Sequence, residues 1–149
     1  MLINEGIIET PVARRGMLTG QALQICVSYG VPGIPYANDE GKVIGRFSVR
    51  HTFLFAGIPS DMVKGAHLIG KDALHSQFPQ GDIAELFAHP VEEHLLTDAA
   101  CLPSNSQVIK AMALMERFNS SYLFVIDHDI YRGTVTRLSL TRALLAEFS

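Results

Sequence analysis

The chain has 149 residues, 48% of them hydrophobic and 18% charged, with a formal net charge of −3 and a mean hydropathy of +0.20. This excludes a disordered chain, which needs low hydrophobicity and high charge. With no basic block it also excludes an electrostatic footprint for nucleic acid. The length suits one domain, or two small intertwined ones, burying a core without disulfides, and the apolar excess predicts an oligomer interface.

Met1 to Thr10 carries Asn4, Glu5 and Glu9 and lacks a basic, apolar leader pattern. No run reaches the ~18 apolar residues of a membrane helix, so a cytoplasmic protein is expected. An extended piece is predicted at Pro11–Ala13, then a helix with Leu18, Ala22, Ile25 and Tyr29 at helical spacing. A strand follows over Gly33–Ala37, a polar turn over Asn38–Gly41, a second strand over Lys42–Phe47 and a helix opening at Ser48, a good N-cap residue. The stretch from Gly57 to Pro90 is too long for a bare loop. Met62, Ala66, Ile69 and Ala73 predict one helix there; Asp82-x-x-Glu85, with Ile83, Leu86 and Phe87 behind it, predicts another that Pro90 stops.

Next come an extended piece over Ala99–Leu102, a capping-box pattern at Ser104-x-x-Gln107 and a helix bearing Val108, Met112, Met115 and Phe118. A strand over Tyr122–Ile126, a turn at Asp127–Asp129, a strand over Tyr131–Val135 and a helix from Thr136 complete the chain. Cys26 and Cys101 form no disulfide framework or zinc knuckle and read as small buried hydrophobes.

The second series of elements repeats the first. Gly20–Asn38 aligns with Ile109–Asp127 at an offset of 89, so that Ala22 meets Ala111 and Tyr29 meets Phe118. After a one-residue gap in the turn the offset is 88, placing Gly45 on Gly133 and Ser48 on Thr136. Each copy is a β-α-β-β-α unit, an α/β (α+β-like) fold class. The chain divides into 1–56, a helical insertion at 57–90, and 91–149.

Ser48 and Thr136 both stand where a strand feeds a helix, whose first N–H groups are unpaired and carry partial positive charge. A hydroxyl there can bond a sugar or phosphate, and Arg50 and Arg137, just inside the helices, can grip a phosphate with paired N–H groups. Ile34, Tyr36, Leu123 and Val125 can wall a pocket for a flat base. Taken singly, each residue also has a plain structural role: the hydroxyls cap helices, the arginines are solvated, and Tyr36 and Phe124 pack in a core or interface. The six histidines (His51, His67, His75, His89, His94 and His128) show no metal-ligand spacing. His89 and His94 straddle Pro90, which breaks helical geometry, so no metal site is expected. No phosphate loop, nucleophile elbow or HExxH motif is present. Asp61, Asp72, Asp82 and Glu85 read as a solvated face, and no catalysis is expected.

The unit resembles the cystathionine-β-synthase (CBS) domain, and the chain a tandem pair, the Bateman module. Carrying this are GVPGIPYANDEGKVIGRFSVRHTF from Gly30 and SSYLFVIDHDIYRGTVTRLSLTRALL from Ser120. The first copy keeps Gly30, Pro35, Asn38, Gly45 and Ser48; the second keeps Asp127, Gly133 and Thr136 but has Asn119 for the glycine and Phe124 for the proline. The resemblance implies two repeats packed as a pseudo-two-fold pair, with clefts for AMP, ADP, ATP or S-adenosylmethionine and no required cofactor. It further implies a homodimer that regulates a separate effector protein. It also implies a ribose-gripping aspartate three places after the Ser or Thr. Here those places hold His51 and Ser139, which form hydrogen bonds but supply no carboxylate. The ligand set expected is thus Ser48, Arg50, His51, Ile34 and Tyr36 with Thr136, Arg137, Ser139, Leu123 and Val125. The alternative is a non-catalytic interaction scaffold with degenerate clefts.

Overall fold

Two hairpins of one design organise the molecule, a computed structural model describing residues 1–56, 58–65, 67 and 80–149. In the first, β1 (Gly33–Ala37) runs antiparallel to β2 (Val43–Ser48) with Gly33 opposite Ser48. In the second, β5 (Tyr122–Asp127) runs antiparallel to β6 (Ile130–Thr136) with Tyr122 opposite Thr136. Each carries one bulge at the matching place, between Tyr36 and Ala37 and between Val125 and Ile126. The turns differ. Asn38 Oδ1 accepts from the backbone N–H of Glu40 and of Lys42, each at 3.0 Å, and Gly41 takes φ 82°. The shorter second turn puts His128 and Asp129 at φ 50° and 65°. The one-residue step in the sequence repeat is this change of turn.

A two-residue strand completes each sheet: β3 (Leu95–Leu96) lies antiparallel to β2, and β4 (Cys101–Leu102) lies parallel to β5. The extended piece expected at Pro11–Ala13 makes a single parallel bridge, Ala13 to Tyr36, rather than a strand. Helix α1 (Thr19–Tyr29) ends at Gly30, with φ 67°; after α5 (Val108–Arg117), Asn119 takes φ 49°. Asparagine is among the few side chains that accept this left-handed geometry, so it can replace the repeat's glycine.

The halves exchange segments. Ile3, in a 3-10 turn over Ile3–Gly6, is buried with Leu102, Val108, Met115, Leu123, Val135 and Leu140. Ile8 pairs with Thr134 through two backbone hydrogen bonds of 2.9 Å. In return, Val91 and Leu95 pack on the first core of Ala22, Cys26, Ile34 and Phe47, and Leu96 pairs with Arg46. The repeated glycine sits under each strap. A Cβ on Gly45 would lie 2.6 Å from the Leu96 carbonyl oxygen, and one on Gly133 would lie 2.6 Å from that of Ile8.

Helices α2 (Val49–Ala56) and α6 (Arg137–Phe148) follow the hairpins, and α3 (Ser60–Gly65) and α4 (Gln80–Ala88) belong to the insertion. Several local expectations are corrected. Leu18 and Tyr29 are 41% and 44% exposed, because α1 buries Thr19, Ala22, Leu23 and Cys26 instead. Ser104 does not cap α5; it donates from its N–H and hydroxyl to Asp127, at 2.9 and 2.6 Å, and Gln107 precedes the helix. Those Ser104 bonds, hydroxyl first, hold the Asp127 carboxyl below its ordinary range. Helix α4 begins at Gln80, so Asp82 lies inside its first turn. Cys101 is exposed, whereas burial pushes the Cys26 thiol up to about 12. Of the residues expected in the first insertion helix, Met62 lies in α3, while Ala66, Ile69 and Ala73 lie outside the described residues. No described helix is long and apolar enough to cross a membrane.

Candidate functional site

Strand alternation decides which side chains reach the seam. Arg46 and Ser48, two apart on β2, line a cleft of about 300 Å³ that Arg50 and His51 of α2 also enter. The facing wall comes from the other repeat: Asp98 to Ala100 before β4, Phe118 to Ser121 between α5 and β5, and Tyr122 and Phe124 of β5.

Arg46 joins the walls. Its Nη1 donates to the Tyr122 hydroxyl at 2.6 Å, its Nε to the Asp98 carbonyl at 3.1 Å and its Nη2 to the Asp98 carboxylate at 3.3 Å. The guanidinium also lies 5.7 Å from the Tyr122 ring centroid, within cation–π range. Gly33 permits this, since a Cβ there would lie 2.6 Å from the Tyr122 ring.

At the start of α2, the Ser48 hydroxyl lies 3.1 Å from His51 Nδ1 and 3.5 Å from the His51 N–H, so it is loosely engaged by its own helix. Burial depresses the His51 pKa, and the Arg46 and Arg50 cations lower it further against a smaller opposing pull from Asp98. At neutral pH the ring is therefore uncharged and can donate or accept a hydrogen bond.

The second strand-to-helix corner differs. The Thr136 hydroxyl accepts from the Ser139 N–H at 3.0 Å, and the Ser139 hydroxyl donates to the Thr136 carbonyl at 3.1 Å and accepts from the Thr136 N–H at 2.9 Å. Arg137 is turned outward to Glu116 at 3.4 Å. Where the first repeat has Arg46, the second has Thr134, whose hydroxyl pairs with that of Tyr131 at 2.7 Å.

Of the residues expected to bind ligand, the structure gathers Ser48, Arg50 and His51 in one cleft. Thr136 and Ser139 are occupied with each other, and Arg137 faces solvent. Ile34, Tyr36, Leu123 and Val125 point into the two cores and do not wall the cleft, a correction to the expected ligand set. Tyr122 and Phe124, alternating with Leu123 and Val125, occupy the cleft face instead. Arg46 was legible by the same parity, two residues before Ser48. Asp98 and Phe118 carried no signal, since their placement follows from packing between repeats. The metal expectation is also corrected in its geometry. Pro90 ends α4 and starts a 3-10 turn over Val91–His94, which folds back until His89 Nδ1 and His94 Nε2 are 3.4 Å apart.

Residues 91–146 match the CBS-domain family model. Among solved structures, CBSX2 in complex with AMP matches with a TM-score of 0.68 at 18% identity, covering 99% of each chain. A CBS domain-containing protein of unknown function from Kribbella flavida matches at 0.66 and 16%, covering 98% of this chain and 99% of that one. The second half of the chain is thus similar to a CBS domain, and the whole has the fold of a tandem CBS pair. A Methanocaldococcus jannaschii protein described as a proposed archaeal homologue of g-AMPK matches at 0.68 and 16%, covering 96% of this chain and 47% of that one. No curated protein matches in sequence. This pair of repeats has one inter-repeat corner lined with charge and one closed by its own cap.

Proposed function

We propose that the chain is a regulatory, non-catalytic sensing module that takes an adenine nucleotide or related adenosyl ligand in the cleft between its CBS repeats. The observation that carries this is the meeting of Arg46, Ser48, Arg50 and His51 from one repeat with Phe118, Tyr122 and Phe124 from the other, around about 300 Å³. That is the lower end of the range for small-molecule sites, roughly 300–1,000 Å³. Arg50 supplies a planar fork for phosphate, the start of α2 favours an anion, and the aromatic edges suit a flat base. The place usually held by an aspartate is His51, so a ribose would depend on neutral bonds to His51 and Ser48, with the Asp98 carboxylate on the opposite wall. CBSX2, of the same fold, has been solved with AMP, which supports the ligand class.

Val27, Phe55, Ile109, Leu138, Leu145 and Phe148 stand exposed on helices, which supports assembly as a homodimer. Ligand would act by binding one packing of the repeats better than another, since only differential affinity shifts such an equilibrium. A scaffold with degenerate clefts is favoured at the Thr136 corner alone, where the hydroxyls are internally paired. Calorimetric titration with AMP, ADP, ATP and S-adenosylmethionine tests the reading. Saturable binding of at least one, in one cleft per chain, is expected; no heat from any of the four with folded protein at high concentration overturns it.

A further inference from the structure

We propose that His89, Glu93 and His94 form a site for a divalent transition-metal ion of the zinc class, at the corner where α4 turns into the strap that crosses to the first repeat. The site is separate from the inter-repeat cleft. His89 Nδ1 lies 3.3 Å from Glu93 Oε2 and 3.4 Å from His94 Nε2. One donor atom from each residue lies within 4.8 Å of the other two. A tetrahedral ion about 2.0–2.1 Å from nitrogen and oxygen ligands holds them roughly 3.3–3.4 Å apart. The two measured separations already have that spacing.

The chemistry suits the same ion. Two imidazoles and one carboxylate are borderline donors that favour zinc-like metals over calcium or magnesium. They leave a fourth position for water or an external ligand. With His89 Nδ1 directed at the ion, its Nε2 remains, and that atom lies 4.0 Å from Glu85 Oε1 one turn back on α4. That separation is beyond a hydrogen bond, and a small side-chain movement would give the metal-bound histidine the carboxylate partner that fixes such a ring.

The backbone frame is set without an ion. The His89 carbonyl accepts from the Thr19 N–H at 2.8 Å and from the Thr19 hydroxyl at 3.0 Å. Val91, between the two histidines, is fully buried and donates from its N–H to the Met17 carbonyl at 2.9 Å. Glu92 is engaged elsewhere, with its Oε1 3.4 Å from the Tyr36 hydroxyl, so Glu93 is the carboxylate turned to the pair. The His89 side chain is 35% exposed, which leaves the ion a path in from solvent.

The test is titration of the chelator-treated full chain with Co²⁺, followed by visible absorption, and then displacement by Zn²⁺. One Co²⁺ per chain with the intense spectrum of tetrahedral coordination is expected, together with a rise in melting temperature on Zn²⁺ addition. His94→Gln should weaken Co²⁺ binding on the order of 100-fold or more, given that loss of mere outer-shell partners costs about 10–100-fold. Glu93→Gln, at a half-exposed position, should weaken binding in a chain whose circular dichroism is unchanged, and it carries the test if His94→Gln fails to fold. Absence of a tetrahedral spectrum would overturn the site and leave a plain His–His–Glu hydrogen-bonded group. So would a spectrum that persists unweakened in both variants, because the ion would then sit elsewhere.

Discussion

The two strand-to-helix corners share a backbone and diverge in the side chain three places into the helix. Ser139 is short enough to bond back to Thr136, and the pair seals the start of α6 with three hydrogen bonds. His51 reaches back only to the Ser48 hydroxyl, through Nδ1, and makes none of the backbone bonds that Ser139 makes to Thr136. Its ring extends into the cleft, and Ser48 is held by contacts of 3.1 and 3.5 Å. The neighbouring strand position deepens the contrast, with Arg46 bridging the repeats on one side and Thr134 bonded within its own strand on the other. One pseudo-symmetric fold thus yields a charged, open corner and a neutral, closed one. A helix cap and a binding site compete for the same hydroxyl, and the third residue decides between them.

Four sets of substitutions would break or sharpen this contrast. The largest effect is expected where the corners are alike. Gly45→Ala and Gly133→Ala each place a methyl 2.6 Å from a backbone carbonyl of the crossing strap, and Gly133 also has φ 153°. Each should cost about 3 kcal/mol in urea denaturation, with Gly133→Ala the worse for its added backbone strain. A loss under about 1 kcal/mol for either would mean that its strap is not tightly seated. Arg46→Ala comes next, at about 2 kcal/mol, since it strips charged hydrogen bonds from Asp98 and Tyr122; Thr134→Ala should cost about 1 kcal/mol. Equal losses would erase the energetic difference between the corners.

In AMP calorimetry, Arg50→Ala should weaken binding by about tenfold or more, the worth of one charge-assisted bond. Arg137→Ala, on an exposed ion pair with Glu116, should leave it unchanged. The reverse pattern would move the site to the other corner. The smallest effect is protonic. An anion beside Arg46 and Arg50 would raise the depressed His51 pKa, so binding near pH 6.5 should take up a fraction of a proton. Calorimetry in two buffers of different ionisation heat should show that uptake, and His51→Ala should lack the share belonging to His51. Without ligand the sign reverses. As pH falls below the ordinary value of 6.5, the unfolded chain protonates this histidine before the folded one, and stability declines.

Most of the element order was readable because turn chemistry and hydrophobic period agree locally. β1 begins and ends where the reading of a strand before the polar turn at Asn38–Gly41 places it, and even the one-residue gap between the copies corresponds to a physical turn. What was not readable depended on which face of an element meets which neighbour. The run from Tyr122 to Val125 is apolar at every position, so no alternation marks Phe124 for the cleft and Leu123 for the core. The buried face of α1 departs from its hydrophobic spacing, because Thr19 and Cys26 are buried in place of the larger Leu18 and Tyr29. Pro90 between His89 and His94 predicts a broken helix that keeps the two rings apart. The break is real, and it is what returns His94 to His89.

The crossed straps also constrain how this protein can be synthesised. Ile8 finds its partner only when Thr134 has been made, and Arg46 cannot complete its sheet before Leu96 emerges. A ribosome therefore cannot release a finished first half and then a finished second. Both cores close late, over pairings of high sequence separation that slow the search for the native state. Cutting the gene between the repeats would leave each fragment with a groove where the other fragment's strap belongs.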